Sequence, residues 1–134
     1  MDTVMFCREL HQKFDLVGDV VEDMVVVGND EEFFHYNMRT RKPAYEARFN
    51  MATHFSEGLA GVAAGDDYFH IKKDGTPAYP QRYKDVGSFN DEGLAWVCQR
   101  FDAPIVHEDD FPEQYLWAQI NKQGLVVTPW QKRF

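Results

Sequence analysis

The sequence predicts an all-β domain of tandem antiparallel β-hairpin repeats, about three units of roughly 35 residues. Three observations predict it. Residues 33–62 and 68–97 are copies of one another, with one single-residue gap in each. They share Phe34/Phe69, His35/His70, Pro43/Pro77, Ala44/Ala78, Tyr45/Tyr79, Arg48/Arg82 and Phe55/Phe89, and Glu57-Gly58-Leu59-Ala60 recurs as Glu92-Gly93-Leu94-Ala95. The flanks are partial copies of the same unit. Finally, each unit alternates aromatic and β-branched stretches with Gly, Pro and Asp turn signals, which is the pattern of short strands.

The elements follow in chain order. The repeat alignment reads as strand from Leu10 onward, against the alternative of a short N-terminal helix marked by Val4, Leu10 and Phe14. Leu10–Phe14 also aligns with Tyr79–Tyr83, which confines any helix to about the first ten residues. Val17-Gly18-Asp19-Val20 matches Val86-Gly87-Ser88-Phe89, and Met24–Val27 matches Leu94–Val97. Tyr68–Lys72 reads as a strand, and Asp74-Gly75 after it as a two-residue hairpin turn with both residues at positive φ. The first copy has Arg39-Thr40-Arg41 there, so its loop differs. Ala78–Tyr83 is the return strand, and Pro80 and Pro129 put that segment at an edge or bulge. Gly58 and Gly93 occupy left-handed turn positions, where the N-terminal partial copy has Asp23. Trp117–Gly124 matches Tyr68–Gly75, and Arg133-Phe134 matches Arg82-Tyr83.

This phasing divides a single domain, 1–134, into a half-repeat 8–32, a repeat 33–67, a repeat 68–116 and a half-repeat 117–134. The N-terminus then supplies the second half of a unit and the C-terminus the first. Pairing of the two halves would close the array and hide two sheet edges. An open curved sheet that self-associates through its ends is the alternative.

Composition narrows the function classes. Twenty aromatics supply ample apolar surface, which excludes a disordered tail. The net charge of −8 disfavours phosphate backbones and anionic membrane surfaces. Cys7 and Cys98 form no disulfide framework and no zinc site. Neither a secretory signal nor an apolar run of membrane-spanning length is visible, so the cytoplasm is the expected compartment.

The aromatic pair, the turn and the run Gly-Leu-Ala-x-Val resemble the WG-repeat (KWG) family. Phe69-His70-Ile71-Lys72-Lys73-Asp74-Gly75-Thr76-Pro77-Ala78-Tyr79 is similar to the subtype reading W-F-H-I-D-K-D-G-x-P-x-Y. The naming Trp-Gly dipeptide is absent: the three positions read Phe33-Phe34, Tyr68-Phe69 and Trp117-Ala118. The resemblance implies tandem β-rich repeats in bacterial proteins that bind partners, with no catalytic residues and no cofactor.

Recurrence also sorts the polar residues. His35 and His70 read as packing or hydrogen-bonding groups within each repeat, and Gln119 holds their place in the third. Arg48, Arg82 and Arg133, with Lys13 in the fourth slot, suggest stacking on aromatics or pairing with Glu57 and Glu92. A ring of such cations would bind an anion.

The functional candidate is what breaks the repeat. Cys98–Leu116 stands where the first copy has only Ala63–Asp67. Insertions in repeat proteins map to loops, and loops carry binding. The expected binding residues are Phe101, His107, Glu108, Asp109, Asp110, Phe111, Glu113 and Tyr115. Aromatics flanked by carboxylates suit a protein partner, so a non-enzymatic interaction module is the leading expectation. The alternative is a small-ligand or divalent-cation site at His107 and its carboxylates. A hydrolase built on His54 or His107 has no catalytic motif to support it.

Overall fold

A computed structural model describes residues 3–102 and 113–132. It is all-β apart from one helix, α1 (Thr3–Lys13). The strands are β1 (Leu16–Val21), β2 (Met24–Asn29), β3 (Glu32–Asn37), β4 (Lys42–Pro43), β5 (Met51–Ala52), β6 (Ala60–Ala64), β7 (Asp67–Ile71), β8 (Asp85–Val86), β9 (Ala95–Asp102) and β10 (Glu113–Ile120). They form three antiparallel sheets, ordered β1-β2-β3-β4, β5-β6-β7 and β8-β9-β10. In the second and third sheets an isolated bridge, Ile71 with Pro77 and Ile120 with Val126, takes the place of β4. Each sheet is therefore the same meander with a short return segment.

The sheets are out of phase with the repeat as read from the sequence, by half a unit. Hydrogen bonds join β6 to β7 across the boundary drawn at residue 67, with Ala64 opposite Asp67. The described residues thus form three meanders, and each sequence repeat straddles two of them. Closure of the ends is corrected accordingly. The first sheet ends on β1 and β4, the third on β8 and the segment paired to β10. Among the described residues no strand of one pairs with a strand of the other. Among the described residues the array is therefore open.

The N-terminal reading had the right register and the wrong conformation. Helix α1 runs to Lys13, three residues further than expected. Phe6 and Leu10 are buried one turn apart, and Phe14 packs edge-on against Phe34 with centroids 5.5 Å apart. Phe49 of the first return segment meets Phe69 in the same way at 6.1 Å. So α1 fills, for the first sheet, the place that a preceding return segment fills for the next. In those segments Tyr45 and Phe49, and Tyr79 and Tyr83, are also buried four residues apart. The same spacing serves a helix and a curled return. Asn29 seals the helix end: its amide donates to the Lys13 carbonyl, and its carbonyl oxygen accepts from the Asp15 N–H.

Turn chemistry follows the glycines. Gly58 and Gly93 have φ +83° and +77°, and Asp23 replaces them at +63°. The Asp74-Gly75 turn differs from expectation, since only Gly75 is left-handed, at +85°. The Gly75 N–H donates to the Lys72 carbonyl and the Lys72 N–H to that of Thr76, which makes a longer loop. Asp74 accepts from both the N–H and the hydroxyl of Thr76 instead of entering the left-handed region. These bonds hold the Asp74 carboxyl below its usual range.

One continuous core runs through all three sheets, from Phe6 to Ile120. No helix among the described residues is long and apolar enough to cross a membrane. Both cysteines are free thiols.

Candidate functional site

Two junctions hold the sheets together. In the first, His35 on β3 contacts the Tyr45 hydroxyl through Nδ1 at 2.6 Å and the Thr53 carbonyl through Nε2 at 2.8 Å. In the second, His70 on β7 contacts the Tyr79 hydroxyl at 2.6 Å and the Gly87 carbonyl at 2.7 Å. A carbonyl oxygen only accepts, so Nε2 carries the proton in both rings. Burial pushes each histidine down to about 4, so each ring is neutral at pH 7. The bare Nδ1 must then accept, and the tyrosine hydroxyl donates to it. Phe55 and Phe89 pack on the two imidazoles with centroids 4.5 Å apart. All four side chains are fully buried. The recurring histidines are thus structural, as their repetition predicts, and they bind one sheet to the next.

The turn glycines complete each junction. A Cβ on Gly75 would lie 2.5 Å from the Tyr45 ring, and one on Gly124 would lie 2.6 Å from the Tyr79 Cβ. Each loop therefore rests on the tyrosine of the sheet before it. The first sheet has no preceding tyrosine, and Arg41 takes the left-handed position there at φ +58°.

The recurring arginines stack, as one of the two expectations had it. Arg48 lies 3.6 Å over the Phe34 ring and Arg82 lies 3.8 Å over Phe69. Each also donates to three successive carbonyls of its own return segment, those of residues 45–47 and 79–81. These guanidiniums are committed to holding the chain curled rather than to an anion. Glu57 faces Lys122 at 3.8 Å instead of an arginine. Arg133 and Phe134 lie outside the described residues. Gln131 bridges to Trp117 as Tyr83 bridges to Tyr68.

The insertion lengthens one hairpin. β9 and β10 pair from Ala95↔Ile120 out to Asp102↔Glu113, eight residues each, where the corresponding β6 and β7 have five. Side chains alternate across such a ribbon. Trp96, Cys98 and Arg100 share one face with Tyr115, Trp117 and Gln119. Val97, Gln99 and Phe101 share the other with Gln114, Leu116 and Ala118. Phe101 and Tyr115 were expected at one site, but they point to opposite faces. Phe101 packs on Trp130 with centroids 5.2 Å apart, while Tyr115 is 52% exposed. Glu113 lies in β10, opposite Asp102. His107, Glu108, Asp109, Asp110 and Phe111 lie outside the described residues. Among the described residues no three His, Cys, Asp or Glu side chains are grouped to hold a metal.

A shallow polar cleft between the first two sheets is lined by Glu22, Asp23, Met24, Asn37, Arg39 and Lys73. Its charges are paired among themselves, Arg39 with Asp23 at 2.8 Å and Lys73 with Glu22 at 3.6 Å.

With this geometry in place, comparison with known families is informative. The model of the WG containing repeat matches residues 39–66 and 71–100, together somewhat under half of the chain. These two segments are similar to repeats of WG type. The first matched segment runs from the return loop of the first sheet to the β6–β7 turn and the second from the end of β7 into β9, so each spans one junction. No curated protein matches the chain.

Proposed function

We propose that the protein is a non-enzymatic interaction module. It binds a protein partner through the β9–β10 arm, residues 98–116, and the adjacent turns. The observation that carries this reading is the arm itself. Its strands run beyond the edge that ends the equivalent hairpin, and they carry Tyr115 half-exposed at the surface. A two-stranded ribbon with an exposed tyrosine offers amphipathic contact area. The repeats are of the His-bearing W-F-H-I-D-K-D-G-x-P-x-Y subtype, whose histidine builds the scaffold rather than the site. An acidic chain of this kind works in the cytoplasm, apart from nucleic acid and membrane.

The test is affinity capture from lysate, with the intact protein beside a variant whose residues 99–114 are replaced by a Gly-containing turn. Capture of a protein by the intact bait alone supports the arm as the binding element. Equal capture by both removes the arm from the site. No capture by either folded bait overturns the reading in favour of a small ligand or cation at His107 and its carboxylates.

A further inference from the structure

The three return loops are capped in different ways. In the first, the Asn37 side-chain oxygen accepts from the Arg39 and Thr40 N–H groups. In the third, that of Asn121 accepts from Gln123 and Leu125. The second loop has Lys72 at this position, and a lysine offers no acceptor. Its cap comes from Asp74 instead. Oδ1 of Asp74 accepts from the Thr76 N–H at 3.0 Å and from the Thr76 hydroxyl at 2.6 Å. Moving the cap puts a carboxylate directly before the left-handed Gly75. The sequence has no other Asp-Gly dipeptide and no Asn-Gly.

An aspartate before a glycine is open to attack by its own backbone, because no Cβ on the glycine hinders the approach. The reaction needs a protonated carboxyl and a glycine nitrogen free to lose its proton. That nitrogen bonds to Cγ of Asp74, a Cγ–O bond breaks, and the oxygen leaves as water with the amide proton. The product is a succinimide. Water then adds at either ring carbonyl. Opening at Cγ restores aspartate, and opening at the main-chain carbonyl carbon leaves isoaspartate, with the chain running through the former side chain. Water is the only reactant, and none is consumed overall. The fold withholds both reacting groups. The Gly75 N–H donates to the Lys72 carbonyl at 2.9 Å. The carboxylate is bound by Thr76, and those bonds hold it below the usual carboxylate range, in the unreactive ionised form. Both Asp74 and Thr76 are exposed, so hydrogen bonds rather than burial give this protection.

From this we infer that Asp74-Gly75 is the site of spontaneous isoaspartate formation in this chain, kept latent in the folded protein by Thr76. Thr76 is a positioning residue: it acts by holding the carboxylate away from the Gly75 nitrogen. Conversion would reach the first junction. Isoaspartate adds one methylene to the main chain just before Gly75, and Gly75 has no room to move toward Tyr45, since even a Cβ there would lie 2.5 Å from that ring. The Tyr45 hydroxyl in turn donates to His35. The modified loop therefore lifts off the tyrosine that ties the first sheet to the second.

The test is to age the full chain at neutral pH and to measure isoaspartate at each aspartate by peptide mapping with electron-transfer fragmentation. A capped synthetic peptide of residues 70–79 is the unprotected reference. Conversion at Asp74 should be more than about tenfold faster in the peptide, which keeps neither protecting bond. Thr76→Val should speed conversion in the full chain about fivefold, the effect of one lost hydrogen bond. Thr76→Ser keeps the hydroxyl and should convert at the native rate. Should Thr76→Val alone misfold, Lys72→Asn restores the cap of the other two loops, and the double variant K72N/T76V should still convert faster than the native chain. Isoaspartyl chain separated from the aged sample should melt below the native midpoint. Equal rates in peptide and native chain overturn the inference, as does a native rate in folded Thr76→Val or K72N/T76V. Conversion concentrated at another aspartate, or an isoaspartyl chain that melts with the native protein, overturns it as well.

Discussion

Acidification should loosen the junctions between the sheets well before it neutralises most carboxylates. His35 and His70 sit at about 4 in the folded protein, against 6.5 for an ordinary histidine, and burial is the dominant cause in both. The backbone bonds to Thr53 and Gly87 oppose that shift without cancelling it. The unfolded chain therefore binds more protons than the folded one between pH 6.5 and pH 4. The stability that depends on neutral rings is complete above pH 6.5 and is lost as pH falls toward 4. Over the whole window the difference amounts to about 3 kcal/mol per histidine, and by pH 5 to about 2 kcal/mol. Two histidines thus cost about 4 kcal/mol by pH 5, a large share of the roughly 5–15 kcal/mol that stabilises a typical domain. Geometry gives the same sign, since a protonated Nδ1 would turn a donor toward the tyrosine hydroxyl that now donates to it. The assay is urea unfolding at pH 7.5, 6.5, 5.5 and 5.0, for the native chain and for H35Q/H70Q. The native chain should lose about 4 kcal/mol across this range, and the double variant should lose far less. Equal slopes in the two proteins would refute the reasoning.

Other perturbations probe the same junctions. Tyr79→Phe removes the hydroxyl that donates to His70 and leaves Nδ1 buried and unpaired, so urea unfolding should show a loss of about 1–3 kcal/mol. Gly75→Ala forces a Cβ against the Tyr45 ring at positive φ, whereas Gly65→Ala meets open space at φ +64°. The first should therefore lower the thermal midpoint clearly more than the second, which pays only the left-handed penalty of about 1–2 kcal/mol. Phe89→Ala should cost about 3–5 kcal/mol in urea unfolding, while Val20→Ala, at the equivalent but 42% exposed position of the first sheet, should stay within about 0.5 kcal/mol.

Much of this architecture is legible in the sequence because each junction uses the same residues twice. The His, Tyr, Phe and Gly of the repeat are the groups that touch across the sheets, so recurrence marks them without any structure. Departures are legible for the same reason: Val20, Arg41 and Gln119 break the repeat in the first and third sheets. Three features escaped. A sequence repeat does not say where a sheet begins, and an apparent split unit invited a closed ring. The spacing of Leu10 and Phe14 fits a helix and a curled return alike, so register was recovered while conformation was not. In the candidate site, the insertion marked the lengthened hairpin, but composition could not say that Phe101 and Tyr115 lie on opposite faces. That depends on the pairing of Tyr115 with Arg100, and period-two alternation then separates the two rings.

The most direct test of the account is the tautomer and titration of the two buried imidazoles, read by long-range nitrogen–proton correlation on chain labelled at histidine nitrogen. Both His35 and His70 should show a protonated Nε2 and a bare Nδ1 at neutral pH, and both should stay neutral until pH approaches about 4. A protonated Nδ1 in either ring, or a midpoint near the ordinary 6.5, would mean that neutral histidines do not tie one sheet to the next.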